Sequence, residues 1–295
     1  MTTPAPTSTG QVEPSRRAAE AVARAAGVAV VELASVEETA AATAVFGAIW
    51  GVASSSAMPA ELVRALAHAG NYVAGAYDGE ELVGAVVGFL GIHHGGVHLH
   101  SHVAGVLPRA QGRSVGLALK LHQRAWALAR GIERAEWTYD PLVRRNTYFN
   151  LTKLGATAVA YHADFYGGMD DAINAGHPTD RCVALWDLAA PRAVAAAAGT
   201  AAGPDLAKLL AAGARVLLAE GENGEPLVSP GRVAPVQLCQ VPADVVRLRA
   251  TRPALASAWR LAVRETLGQA LDGGWVATGA TRSGWCVLER GEGPP

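Results

Sequence analysis

The sequence predicts an α/β (α+β) fold: a mixed, mainly antiparallel sheet flanked by helices, followed by a smaller C-terminal α+β region. Three observations carry this. β-favouring runs alternate with helical periodicities over the first 190 residues. An Asp-Gly pair in "YDGEE" sits between two such runs and marks a hairpin. The stretch "VLPRAQGRSVGLALK" passes from a strand through a glycine-containing turn straight into a helix.

Element by element, residues 1–27 are polar and rich in Pro and Thr, and read as a disordered tail without a signal segment. The globular part opens with an apolar strand, 28–33, and an Ala-rich helix running to Trp50. Two strands about "YDGEE" follow, then a third in "GVHLHSHVAGV". From 115 to 130 the period turns helical, with Leu117, Leu121 and Leu128 near one face. "AEWTYDPL" is another strand, and "RRNTYFNLTKLGA" a short helix stopped by Gly155. "TAVAYHADFYG" and "DRCVALWDL" complete a domain over 28–190. Residues 191–204, low in complexity and rich in Ala, Gly and Pro, read as a linker to the region 205–295, where a helix over 253–271 lies between strands.

The composition narrows the class. The chain has 295 residues, half of them hydrophobic, yet no apolar run reaches the length of a membrane span. A formal net charge of −1 disfavours a nucleic-acid or acidic-membrane partner. Cys182, Cys239 and Cys286 are scattered and odd in number, which suits reduced thiols in a cytoplasm.

The turn after the third strand carries the chemistry. A turn entering a helix N-terminus aims unpaired backbone N–H groups at one point, backed by the helix dipole, and so suits phosphate. It is neither a P-loop nor the dinucleotide fingerprint, because G-K-[ST] and G-x-G-x-x-G are both missing. These residues resemble the GNAT superfamily of acyl-CoA-dependent N-acyltransferases. Its signature, [Q/R]-x-x-G-x-[G/A] after a strand ending Val-x-Pro, is matched by Val106, Pro108 and then Gln111, Gly112, Arg113, Ser114, Val115 and Gly116. Ser114 stands where the family has its first glycine. The helix ending "KLGA" parallels the family's K-L-G-F, and the resemblance covers 28–188. Longer strings, including "FYGGMDDAINAGHPTDR" and "PALASAWRLAVRE", resemble bacterial predicted acetyltransferases with an appended C-terminal region, some linked with N-succinylation of amino acids.

The resemblance implies a sheet splayed at Val106 and a pyrophosphate held by the turn 111–116. The co-substrate implied is acetyl-CoA or another acyl-CoA, succinyl-CoA included. Asn146 and Asn150 are the candidates to hold the pantetheine arm. A general base sits in several such enzymes six residues before the Val, which here is His100, with His102 second; an imidazole suits proton abstraction from an ammonium near neutral pH. The family's usual acid, a Tyr four residues before the K-L-G glycine, is Leu151 here, and Tyr148 one turn earlier is the substitute. The acceptor falls to Tyr166, Asp170 or Asp171 for an ammonium, and Arg181 for a carboxylate.

Five of the nine histidines fall within residues 93–102. On an extended strand His98, His100 and His102 share a face and so could meet zinc, but neither a carboxylate nor a cysteine stands at ligand spacing in the sequence. No metal is therefore expected. The function expected is transfer of an acetyl, or succinyl, group to the primary amine of a small molecule such as an amino acid, by direct attack in a ternary complex. The rivals are a non-catalytic CoA- or metabolite-binding module and a His-ligated zinc enzyme. Neither nucleic acid nor membrane is an expected partner, and a homodimer remains open. Arg260 and Arg264, at i and i+4 on the late helix, are read as packing or lid residues.

Overall fold

The computed structural model describes residues 8–51, 58–93, 96–168, 177–229 and 234–291. The chain forms two compact units, one of 1–137 with 187–198 and one of 138–186 with 199–295.

The first unit begins with a helix, α1 (Ser8–Ala26), where a disordered tail was expected. Ser15, Ala19, Ala23 and Ala26 are buried, a stripe at spacings of four, four and three that one helix face presents. Small residues at those positions let α1 pack closely on α4 (Val115–Ala129). Strand β1 (Ala29–Glu32) leads to α2 (Val36–Trp50). Ser35 and Glu38 start α2 with a reciprocal capping box, and Gly51 ends it in the left-handed conformation. A helix not read from the sequence, α3 (Ala60–His68), follows.

The hairpin of β2 (Tyr72–Asp78) and β3 (Glu81–His93) closes on Gly79 and Glu80, with Gly79, the first central residue, at φ +61°, where glycine is favoured. Next comes β4 (Gly96–Val106) and, after α4, β5 (Arg134–Tyr139). The strand order in this unit is β1-β2-β3-β4-β5, antiparallel as far as β4. β4 and β5 are parallel, paired at Leu99↔Ala135 and His100↔Glu136, after which β4 runs on to Val106 with β3 as its partner. Leu33, Phe46, Val63, Val73, Val87 and Leu107 centre the core under α2 and α3. A further helix, α6 (Pro191–Ala197), occupies the first half of what the composition marked as a linker.

In the second unit, α5 (Arg144–Tyr148) runs into a π-helical turn, Phe149–Lys153. Its strands are β6 (Thr157–His162), β7 (Arg181–Asp187), β8 (Arg215–Glu220), β9 (Pro226–Val228), β10 (Val236–Gln240), β11 (Trp275–Ala280) and β12 (Trp285–Arg290). Their order is β7-β6-β11-β12-β10-β8-β9, antiparallel except for β10 with β8. Because β11 pairs with β6, the late strands extend the sheet that β6 and β7 begin. The compact units divide at 137/138, 186/187 and 198/199, the last within the expected linker of 191–204. Helices α7 (Leu206–Ala211), α8 (Val245–Thr251), α9 (Pro253–Val263) and α10 (Gln269–Asp272) complete the unit, α9 and α10 being joined by a π turn, Arg264–Gly268. None of the described helices is long and apolar enough to cross a membrane.

Candidate functional site

The phosphate-type turn lies where β4 ends. A 3₁₀ turn, Pro108–Ala110, is followed by Gln111, whose Nε2 donates to the Val106 carbonyl at 3.0 Å and ties the turn back to the strand. Gly112 takes φ +82° and Ser114 φ +67°. The left-handed conformation that a glycine would take freely is thus held by the serine. Ser114 is the N-cap of α4, but its hydroxyl makes no capping hydrogen bond, and the first turn of α4 carries no acidic residue. The leading N–H groups around Val115 and Gly116 stay directed at the turn without a side-chain acceptor among the described residues, the condition an anionic group needs. The Arg113 side chain leaves the turn: Nη1 binds Asp78 Oδ2 at 2.6 Å and Nη2 the Ala26 carbonyl at 3.3 Å. Arg113 thus brings its backbone to the turn and its charge to the hairpin.

On β4, His100 is half-buried and stacks on Phe89, ring centroids 4.9 Å apart. Burial, then the neighbouring His102, hold its pKa below the ordinary 6.5. His102 is more open; its ring tilts against Phe89 at 5.6 Å, and partial burial lowers its pKa as well. The register of β4 on β3 slips here, from Val87↔Val103 to Phe89↔His100. Such a bulge breaks strict alternation; the His102 ring stays 6.0 Å from that of His100, but His102 is not part of the ligand cluster that His98 and His100 share.

A carboxylate takes the third place instead, which corrects the expectation that none was near. His98, buried, has Nε2 3.3 Å from Glu136 Oε1, and one ligand atom each of His98, His100 and Glu136 lies within 4.8 Å of the others. Glu136 was not legible as a partner because the β4–β5 register brings it opposite His100 across a gap of more than thirty residues. On the opposite face, toward α4, Lys120 is buried with its Nζ donating to Ser101 Oγ at 2.9 Å and Gln123 Oε1 at 2.8 Å, 3.8 Å above the Trp137 ring. Burial brings its pKa down to about 7. Nothing in the spacing of Lys120 on an apolar helix face signalled this.

The remaining candidates belong to the second unit. Tyr148 is half-buried; its hydroxyl accepts from Arg282 Nε at 3.3 Å, and the Arg282 guanidinium lies 5.5 Å from the ring centre. Asn146 is half-buried on α5 and Asn150 buried in the π turn. Tyr166 is exposed, its hydroxyl 3.0 Å from Thr138 Oγ1. Arg181 is buried, 5.3 Å from the Tyr166 ring centre, with Nη1 on the Asp180 carbonyl at 3.0 Å. Asp170 and Asp171 lie outside the described residues.

Two buried carboxylates of this unit were not singled out from the sequence. Arg260 holds both oxygens of Asp140, at 2.8 and 2.7 Å, and Arg249 adds a contact at 2.5 Å. Arg264 likewise holds both oxygens of Asp180, which also accepts from the Tyr161 hydroxyl at 2.5 Å. Arg260, buried, and Arg264, partly exposed, thus each clamp a carboxylate buried in this unit.

No family model matches the chain, and no curated protein matches it. Solved structures do. The acetyltransferase of GNAT family from Streptococcus pneumoniae is similar at 13% identity and a TM-score of 0.43, over 54% of this chain and 97% of that one. The IAA acetyltransferase from Bacillus cereus is similar at 13% identity and a TM-score of 0.41, over 54% and 99%. Aminoglycoside 6'-acetyltransferase type Ii is similar at 16% identity and a TM-score of 0.43, over 54% and 97%. The solved structures that this chain resembles include GNAT-family and other acetyltransferases.

Proposed function

We propose that the chain is an acyl-CoA-dependent N-acyltransferase of the GNAT type, acting on the primary amine of a small molecule. One observation carries the reading. The strand carrying His100 ends at Val106 in a turn whose residues 112 and 114 take positive φ, and that turn enters a helix with neither a side-chain cap nor an acidic residue in its first turn. A pyrophosphate fits there: the backbone N–H groups supply donors and the helix dipole supplies positive potential. The Gln111 hydrogen bond to Val106 preorganises the turn, which lowers the ordering cost of binding.

Six residues back along β4, His100 accepts the proton of the acceptor ammonium. Its lowered pKa keeps the imidazole neutral, and so able to accept, at neutral pH. Backbone N–H groups of β4 near Val106 polarise the thioester carbonyl. Tyr148 stands for the acid that protonates the leaving thiolate, and Asn146 with Asn150 for the pantetheine contacts. Tyr166, Asp170, Asp171 and Arg181 stand for the acceptor pocket. Acetyl is the simplest donor and succinyl the second. The three described cysteines are free thiols, which supports a reducing cytoplasmic setting.

The test is isothermal titration of the full chain with acetyl-CoA, succinyl-CoA and free CoA, followed by single-turnover transfer to a panel of amino acids. Binding of one acyl-CoA with transfer to an amine upholds the reading. Binding without transfer to any amine would leave a CoA-binding module, and absence of binding would remove both.

A further inference from the structure

We propose that His98, His100 and Glu136 form a binding site for a divalent transition cation, zinc first. The geometry on the first unit's sheet carries this independently of acyl transfer. Two imidazole nitrogens and a carboxylate oxygen from neighbouring parallel strands lie within 4.8 Å of one another. In a tetrahedral zinc site, ligands roughly 2.0–2.2 Å from the metal stand roughly 3.3–3.5 Å apart. His98 Nε2 and Glu136 Oε1 are already at that separation, 3.3 Å. The His100 ligand atom lies within 4.8 Å of both, so closing the trio on a metal calls for an adjustment at His100.

The ligand chemistry is also right. Two imidazoles and one carboxylate suit zinc, cobalt or iron(II) rather than magnesium or calcium, which take oxygen donors. Three protein ligands leave a position open for water or another small donor. The backbone is shaped around the first of them. Gly91, opposite His98 in the β3–β4 ladder, leaves room that a Cβ would fill, because such an atom would lie 2.5 Å from His98 Cε1 and 2.6 Å from Nε2. His102 lies beyond the register slip and is not part of the site.

A bound cation would take the lone pair with which His100 acts as base. In that respect the site bears on the acyl-transfer reading, and occupancy would inhibit the proposed transfer. Metal binding itself does not depend on that reading.

The experiment strips the full chain with a chelator and titrates it with cobalt(II), following the visible d–d bands and, by equilibrium dialysis, the bound stoichiometry; zinc then competes. One equivalent with intense tetrahedral bands is expected, weakened about tenfold or more in His98→Ala and in the conservative Glu136→Gln, and little changed in His102→Ala. Thermal unfolding of each metal-free variant checks folding. Absence of stoichiometric uptake, or uptake indifferent to both His98→Ala and Glu136→Gln, overturns the site. Acetyl-CoA binding by the same stripped protein is measured separately, so that failure of the metal site and failure of the acyltransferase reading register as different results.

Discussion

Gly91 and His98 are direct partners across the β3–β4 ladder, and the His98 ring lies over the space that a side chain at 91 would occupy. A Cβ there would approach the ring to 2.5 Å, so the imidazole of a Gly91→Ala variant must leave the position in which it meets Glu136 at 3.3 Å. Because the clash is with the end of a side chain rather than backbone, the fold should survive at a cost of about 1 kcal/mol. Cobalt(II) affinity should nonetheless fall about tenfold or more, as when any ligand-orienting group is lost. Unchanged cobalt affinity in Gly91→Ala would mean that the ring's orientation is not set by the glycine.

Ser114 stands where the resembled motif has a glycine, yet it keeps the glycine conformation at φ +67°. A non-glycine residue pays roughly 1–2 kcal/mol for that region, offset in part by the lower entropy of its unfolded chain. Its hydroxyl caps nothing. Ser114→Gly should therefore stabilise the chain by about 0.5–1 kcal/mol and leave acyl-CoA affinity equal or better. Urea unfolding and calorimetric titration check the two parts. A destabilised variant would show that the serine makes a contact worth more than the strain.

Legibility tracked the range of the interactions. The YDGEE hairpin, the helix after the turn and the stop at Gly155 rest on neighbours within a few residues, and each lies where the sequence put it. Helix α1 escaped because its buried stripe consists of Ser and Ala, which no hydrophobic scan picks out from a Pro/Thr-rich start. The pairing of His98 with Glu136 escaped for a different reason. It depends on the register of two parallel strands, which leaves no local mark. The Asp140 and Asp180 clusters join residues more than eighty positions apart, so Arg260 and Arg264 were visible as a helical pair but not as clamps.

His100 is the group on which the proposed chemistry turns. In metal-stripped protein at neutral pH, His100→Ala should lower kcat/KM about 10²–10⁴-fold, the usual worth of a positioned base, with acyl-CoA affinity nearly intact. His102→Ala should cost much less. Steady-state rates beside calorimetric affinities separate the two quantities. An unchanged rate in His100→Ala would remove that residue from the mechanism and leave only the turn.

Lys120 couples stability to alkaline pH. Burial lowers its pKa from the ordinary 10.5 to about 7, so the folded chain holds its amine neutral over a range in which the unfolded chain still binds a proton. Stability rises with pH wherever the unfolded state binds more protons, by up to about 1.4 kcal/mol per pH unit. The burden is greatest below pH 7 and fades as pH approaches 10.5. Lys120→Met should thus be relatively more stable at pH 6 than at pH 10, and its stability should vary less between them than that of the parent chain. Urea midpoints at both pH values measure this, and parallel curves for the two proteins would show that Lys120 stays charged, held by Ser101, Gln123 and the Trp137 ring.

Asp140 works in the opposite sense. Burial would raise its carboxyl pKa, but the two-pronged hydrogen bond from Arg260 and the contact from Arg249 outweigh burial and hold it below the ordinary 3.8. Its contribution to stability is therefore complete above 3.8 and is lost as pH falls through the lower folded value. Asp140→Asn leaves buried guanidinium charge without its carboxylate and should cost about 3–5 kcal/mol at pH 7. The loss should shrink under acid, where the parent chain protonates the same group. Pairing it with Arg260→Met should restore part of the stability, because removing both charges is cheaper than stranding one. Urea unfolding of the single and double variants at pH 7 and pH 3 completes the cycle. A double variant no more stable than Asp140→Asn would show that Arg260 contributes through packing on the late helix, with its charge immaterial.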